Sequence, residues 1–190
     1  MRETSKCRLM RQTRGDFQQF LHGHGLDIGC GDDLLTVESG SVDGWDLPNG
    51  DAQLLLSATD ESYDFVYSSH CLEHIADLVE GLTNWVRVLK PGGFLYTVVP
   101  DYVFYEKMHW PSLYNHDHKQ SFSTWISREE TKRANHWHVE NDIIPLLDKL
   151  GVKMLRTDLE LNGFDFNRGP YDQTTASALS QICFVGEKTR

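Results

Sequence analysis

The stretch from Ile75 to Val99 constrains the fold more than any other part of the chain. Ile75, Leu78, Val79, Leu82, Trp85, Val86 and Leu89 fall at helical spacing on one face. Lys90-Pro91-Gly92-Gly93 then ends the helix, because proline cannot continue it and glycine accepts the turn. Phe94 to Val99 follows as an unbroken apolar run, the pattern of a strand covered on both faces. A helix feeding a doubly covered strand requires layers on both sides of a sheet, which predicts an α/β architecture.

The rest of the chain fits that frame. Gly25 to Ile28 reads as a buried strand entering the tight loop Gly29-Cys30-Gly31. Ser41 to Leu47 is a candidate second strand, Gln53 to Leu56 a short apolar piece, and Tyr63 to Tyr67 a β-rich strand. Asn141 to Leu150 reads as a helix capped by Asn141 and closed by Gly151. Val152 to Leu155 and Ile182 to Val185 are candidate late strands, and Arg8 to Leu21 an early helix. Residues 101–140 break the rhythm with a dense set of aromatic and histidine residues, and read as an insertion covering a site.

The 190 residues predict one domain by the usual ~100–200 residues each. Phe94 to Pro100, the longest apolar run, is far short of the ~20 residues that span a bilayer. The charged start MRETSKCRLMRQTRGDF carries no apolar leader, so no signal peptide is expected. The net charge of −10 disfavours a general nucleic-acid binder. Arg2, Lys6, Arg8, Arg11 and Arg14 nevertheless form a basic arm, either a solvated helix face or a contact for a phosphate or other acidic acceptor. Cys7, Cys30, Cys71 and Cys183 form no CxxC pair and read as reduced thiols of a cytoplasmic protein.

A strand ending in G-x-G lets a ligand approach the backbone closely. The position of a third glycine in a nicotinamide fingerprint is Leu34, which weighs against a dinucleotide. Four motifs occur in order: GLDIGCG, then Gly50-Asp51-Ala52, then YDFVYSSHCLEH at 63–74, then LKPGGFLYTVVPD at 89–101. Together they closely resemble the class I S-adenosylmethionine-dependent methyltransferases, of the type 11-like kind, over roughly residues 24–101. The resemblance implies a Rossmann-like, doubly wound open sheet, mostly parallel with an antiparallel last strand. It implies S-adenosylmethionine as cofactor and no metal.

It also implies roles for particular residues. Gly29 and Gly31, with Ile28 and Cys30 between and beside them, would floor the methionine part of the cofactor. Asp27 would hold its amino group. Asp46, followed by Leu47, would accept the ribose hydroxyls, and Asp51 with Ala52 would read the adenine edge. Ser69 and His70 would border the methionine and the transferred methyl. Two departures stand out: Asp33 occupies the usual third glycine of the loop, and only Leu34 to Val42 separates the loop from the second strand. The first helix is therefore expected to be short or missing, with the N-terminal arm (1–23) or the insertion completing the site.

His70-Cys71-Leu72-Glu73-His74 also matches H-x-x-E-H, a zinc-hydrolase pattern that would place both histidines on one helix face. It opens straight after a buried strand and shows no third ligand, so a backbone-bonded His74 is preferred. His116, His118, His136 and His138 are a second candidate ligand set. Within the insertion, Tyr105-Glu106, Trp110-Pro111-Ser112 and Asn115 to Lys119 look like a lid over an acceptor pocket. This block is similar to small methyltransferases of bacterial and phage surface-polysaccharide gene sets.

The resulting expectation is methyl transfer to a small hydroxylated acceptor, a saccharide or nucleotide sugar. A hydroxyl acceptor needs a base that titrates near neutrality, which favours histidine. His118 oriented by Asp117 is the first candidate, His70 the second, with Asp101 orienting the acceptor. The rivals are a nucleic-acid or protein methyltransferase and a catalytically weak, cofactor-binding partner subunit. Exposed aromatics in 101–140 leave a homodimer open; no membrane contact is expected.

Overall fold

The computed structural model describes residues 3–169 and 171–190. Its sheet holds β1 (Gly23–Ile28), β2 (Gly40–Trp45), β3 (Tyr63–Ser69), β4 (Leu89–Pro100), β7 (Val152–Glu160) and β8 (Gln181–Lys188). Their spatial order is β2-β1-β3-β4-β8-β7. The first four are parallel, and β8, the last strand, runs antiparallel to both β4 and β7. The chain thus has the Rossmann-like α/β fold that its motifs imply.

Alternation along the strands explains why both faces are covered. Leu95 and Val99 of β4, and Ile182 and Phe184 of β8, join the core beneath α4 (Leu78–Arg87) and α6 (Ile144–Lys149). Tyr96, Val98, Cys183 and Val185 point the other way, to a second cluster with Phe17 and Leu21 from the N-terminal segment. That segment holds α1 (Glu3–Lys6), α2 (Arg8–Arg14) and α3 (Asp16–Gln19). The single helix expected over Arg8 to Leu21 is broken at Gly15, whose φ of 75° ends one helix before the next begins.

Other boundaries differ for local reasons. The expected Ile75–Leu89 helix starts only at Leu78, because the Asp77 side chain accepts the Glu80 N–H and caps it there. Leu89 already belongs to β4, which extends back through the Lys90–Gly93 turn. Asn141 is not the cap of its helix: His138 Nδ1 accepts the Asn141 N–H, and a wider turn at Val139–Ile143 leads into α6. Among the described residues no helix lies between β1 and β2, as the short spacing predicts.

The 101–140 segment is folded against the sheet. β5 (Ser121–Ser123) and β6 (His136–His138) form a parallel pair, with α5 (Arg128–Thr131) between them. Phe122 and Val139 are wholly buried in the main core. Residues 161–169 and 171–180, between β7 and β8, carry no motif and also reach the site end of the sheet. No helix of the described residues is long and apolar enough to cross a membrane.

Candidate functional site

A cavity of about 560 Å³ opens beyond the carboxyl ends of β1 and β3, where ligands bind in open α/β sheets. One wall is the Gly29–Asp33 loop with Ser69 and His70; the facing wall is Glu73, His74, Tyr105, Tyr114, Asn115 and His118. The N-terminal segment closes the cavity with Glu3 and Thr4, and the 161–180 loop with Asp172, Thr174 and Thr175.

The loop is shaped for close approach. Gly29 has φ of 77°, and a Cβ there would meet the Cys71 side chain at 2.5 Å. Gly31 also has positive φ, and its N–H donates to Asp46 Oδ2 at 2.6 Å. Asp46 Oδ1 accepts the Leu47 N–H at 2.7 Å, so this carboxylate ties the end of β2 to the glycine loop. Asp46, Leu47, Asp51 and Ala52 lie outside the cavity walls. Asp51 Oδ1 accepts the Gln53 N–H, and the Ala52 carbonyl accepts the Trp85 indole N–H. Asp33, in place of the third glycine, accepts the Ser5 backbone N–H at 2.9 Å and also bonds the Ser5 hydroxyl. The residue that departs from the motif thus docks α1 onto the loop.

Asp27 is 1% exposed and accepts the Leu35 N–H at 2.7 Å. It sits behind the loop rather than on the cavity wall, and burial pushes its pKa up to about 7. Ile28, also wholly buried, receives the Ser68 hydroxyl on its carbonyl. Cys30 lines the cavity beside the glycines.

His70 is held with φ of 56°, its N–H bonded to the Val98 carbonyl. Gln181 Nε2 donates to the Glu160 carboxylate at 2.6 Å, which leaves Gln181 Oε1 to accept from His70 Nε2 at 3.0 Å. His70 Nδ1 then faces Glu73 Oε1 at 3.5 Å, a charge contact too long and misaligned for a hydrogen bond. Burial opposes a charged ring, but Glu73 outweighs it and the His70 pKa is raised. His70 is thus favoured as a donor of two N–H groups rather than as a base.

His118 is buried and turned by a different partner from the one expected. Its Nδ1 lies 2.6 Å from Glu106 Oε1, whereas Asp117 Oδ2 lies 3.0 Å from His74 Nδ1. Asp101 does not reach the cavity. It is 1% exposed, and its Oδ1 accepts the Val103 and Phe104 N–H groups in a turn. The two proposed histidine sets also resolve differently. His136 is spent on Ser121 and Ile126, His138 caps the turn before α6, and His116 is exposed. His70 precedes the short Leu72–His74 turn instead of sharing a helix face with His74.

The described cations of the basic arm are engaged within the chain, Arg8 at the surface and the others partly or wholly buried. Arg11 is 1% exposed and lies over the Tyr67 ring at 5.0 Å; Arg14 bonds Glu160 and Asp16. Lys6 bonds the Thr174 and Ala178 carbonyls and Arg8 the Thr36 carbonyl; Arg2 lies outside the described residues. These cations anchor the N-terminal helices instead of forming a phosphate-binding face.

The cavity's wall residues Glu3, Thr4, Asp172, Thr174 and Thr175 carried no motif. Only topology brings them to the site, since α1 docks through Asp33 and the 161–180 loop leaves the far edge of the sheet.

The family model described as a methyltransferase domain matches residues 37–97. No curated protein matches the chain. Among solved structures, an S-adenosylmethionine-dependent methyltransferase from Archaeoglobus fulgidus is 19% identical, covering 99% of this chain and 95% of that one, with a TM-score of 0.56. A Haloferax volcanii protein solved in complex with the Trm112 methyltransferase activator is 15% identical over 98% and 95%, at 0.55. A Haemonchus contortus phosphoethanolamine N-methyltransferase 2, solved with S-adenosyl-L-methionine, is 15% identical over 93% and 53%, also at 0.55. At such identities the likeness speaks for the fold, and the matched domain speaks for the activity.

Fold, motif order and the methyltransferase-domain match over residues 37–97 together support methyl transfer from S-adenosylmethionine. The chain is an S-adenosylmethionine-dependent methyltransferase, and its glycine loop, braced by Asp46, and the cavity that the loop walls are chemically suited to that cofactor.

Proposed function

We propose that the enzyme methylates a hydroxyl group of a small polar acceptor, a saccharide or nucleotide sugar. The observation that carries this reading is the continuity of one cavity from Gly29–Gly31 to Tyr105, Tyr114, Asn115 and His118. A cofactor seated on the loop would point its sulfonium methyl at groups suited to hydroxyl-rich ligands: two phenols, an amide, and the Thr174 and Thr175 hydroxyls. In this reading the 101–140 segment is the acceptor lid of a single methyltransferase domain.

Transfer is an in-line displacement. The bound cofactor would supply the electrophilic methyl: the acceptor oxygen would bond to its carbon as the carbon–sulfur bond breaks and the electron pair stays on sulfur, giving S-adenosylhomocysteine. The hydroxyl proton leaves toward the buried His118–Glu106 pair. Gly29, Cys30, Gly31, Ser69 and His70 on the cavity wall would hold the cofactor, with Asp46 bracing the glycine loop from behind and Asp27 buried beneath it. The four unpaired cysteines suit a cytoplasmic setting.

The internal engagement of Arg11 and Arg14 argues against a nucleic-acid acceptor. The missing first helix, together with an activator-bound structural neighbour, keeps a partner-dependent enzyme as the second reading. Calorimetric titration with S-adenosylmethionine and S-adenosylhomocysteine, followed by an assay for S-adenosylhomocysteine release over sugars and nucleotide sugars, tests both. Turnover of a sugar by the isolated chain supports the first. Cofactor binding with transfer only to peptides or oligonucleotides overturns it, and cofactor binding only in the presence of a second protein supports the other.

A further inference from the structure

Glu73 is fully buried, yet neither of its carboxylate oxygens accepts a hydrogen bond. Burying an ionised carboxylate costs several kcal/mol, and apart from the His70 contact at 3.5 Å the Glu73 oxygens keep their lone pairs available to a cation. Besides His70 Nδ1 at 3.5 Å, two imidazole nitrogens face the same oxygen: His118 Nε2 at 3.9 Å and His74 Nε2 at 4.0 Å from Glu73 Oε1. One ligand atom from each of the three residues lies within 4.8 Å of the others. A tetrahedral ion with bonds of ~2.1 Å sets its ligand atoms ~3.4 Å apart. Closing the cluster onto such an ion therefore requires movements of well under 1 Å per side chain.

The outer contacts point the same way. Glu106 holds His118 Nδ1 at 2.6 Å, and Asp117 holds His74 Nδ1 at 3.0 Å. Each carboxylate accepts a hydrogen bond from Nδ1–H and leaves the Nε2 lone pair facing Glu73, the arrangement that supports metal-bound histidines. The backbone enforces the meeting, since the Glu73 carbonyl accepts the N–H groups of both Lys119 and Gln120, the two residues that follow His118.

We propose that Glu73, His74 and His118 bind one divalent transition-metal ion, with zinc the best match to two imidazoles and a carboxylate. Three protein ligands leave a position open toward the cavity, where an acceptor hydroxyl would bind. This rests on the hydroxyl-acceptor reading for its role but not for its existence. With the ion bound, His118 is a ligand, and the hydroxyl proton is lost to water because metal coordination makes it acidic.

The test is titration of chelator-stripped protein with Co²⁺, read by its visible ligand-field absorption, and with Zn²⁺ by calorimetry. One ion per chain is expected, with affinity reduced at least ~10-fold in Glu73→Gln and His74→Ala and ~10-fold in Asp117→Asn. His74 is partly exposed, so His74→Ala keeps its fold and its circular dichroism even if Glu73→Gln does not. Absence of Co²⁺ binding overturns the proposal, as does binding unchanged in His74→Ala, the mark of an ion held elsewhere. Full turnover by the stripped chain also overturns it and returns His118 to the role of base. An ion bound here in a chain that methylates no hydroxylated acceptor would sink the acceptor reading alone.

Discussion

His118 Nδ1 lies 2.6 Å from Glu106 Oε1, and both side chains are almost wholly buried. A buried carboxylate next to an imidazole fixes the ring's orientation and its tautomer. Glu106→Gln keeps the shape and loses the charge. We expect S-adenosylmethionine affinity to stay within about twofold while kcat falls ~10–100-fold, the range for loss of a supporting carboxylate. Paired calorimetry and steady-state kinetics check this; an unchanged kcat would remove the pair from the reaction.

The sheet and its glycine loop were legible because they depend on local patterns. Val66 and Leu95 could be placed in the core from apolar runs alone, and Gly29 from its strand-end context. The acceptor side was not legible, because its geometry is set by contacts between residues far apart in sequence. Asp117 neighbours His118 in the chain but serves His74, 43 residues away. Glu106 reaches His118 only because the segment folds back on itself. The H-x-x-E-H pattern did mark Glu73 and His74, but helical spacing suggested His70 as their companion, whereas the fold supplies His118.

Asp46 supports the cofactor loop and a helix-like turn at once. Its carboxylate accepts the Gly31 N–H, and with Asn49 it forms a reciprocal cap on the Leu47–Asn49 turn. Asp46→Ala is expected to weaken S-adenosylmethionine binding at least ~10-fold, equivalent to about 1.4 kcal/mol. Loss of the cap adds a stability cost of about 1 kcal/mol. Asp46→Asn keeps an acceptor oxygen and should lose less on both counts. Equal cofactor affinity in the wild type and Asp46→Ala would place the ribose elsewhere.

Asp16 holds the N-terminal helices to the sheet. Wholly buried, it accepts from Arg156 at 2.7 Å, Tyr96 at 2.7 Å and Arg14 at 2.9 Å. The two arginines and the tyrosine hydroxyl draw its pKa down despite burial, which works the other way. Asp16→Ala would leave two partly buried cations facing each other, and the expected loss is about 3 kcal/mol. Because α1 docks on the loop through Asp33, cofactor affinity should fall with stability. Urea unfolding followed by calorimetry checks both; loss of stability with normal cofactor binding would uncouple the arm from the site.

Asp27 makes the fold sensitive to pH in a direction opposite to that of most carboxylates. Burial raises its pKa from 3.8 to about 7, only partly offset by the Leu35 N–H and the charge of Arg11. Between those two values the folded chain keeps a proton that the unfolded chain has lost. Stability therefore falls as pH rises from about 4 to about 7 and levels off above that. Asp101, raised to about 7 by its own burial, acts in the same window. Asp27→Asn keeps an oxygen for the Leu35 N–H and cannot ionise. Relative to wild type it should gain roughly 2–4 kcal/mol between the acid and neutral ends of this window, while the Asp101 contribution remains. Urea unfolding of both proteins across that range measures the difference; a difference that does not vary with pH would mean that Asp27 stays ionised in the folded chain.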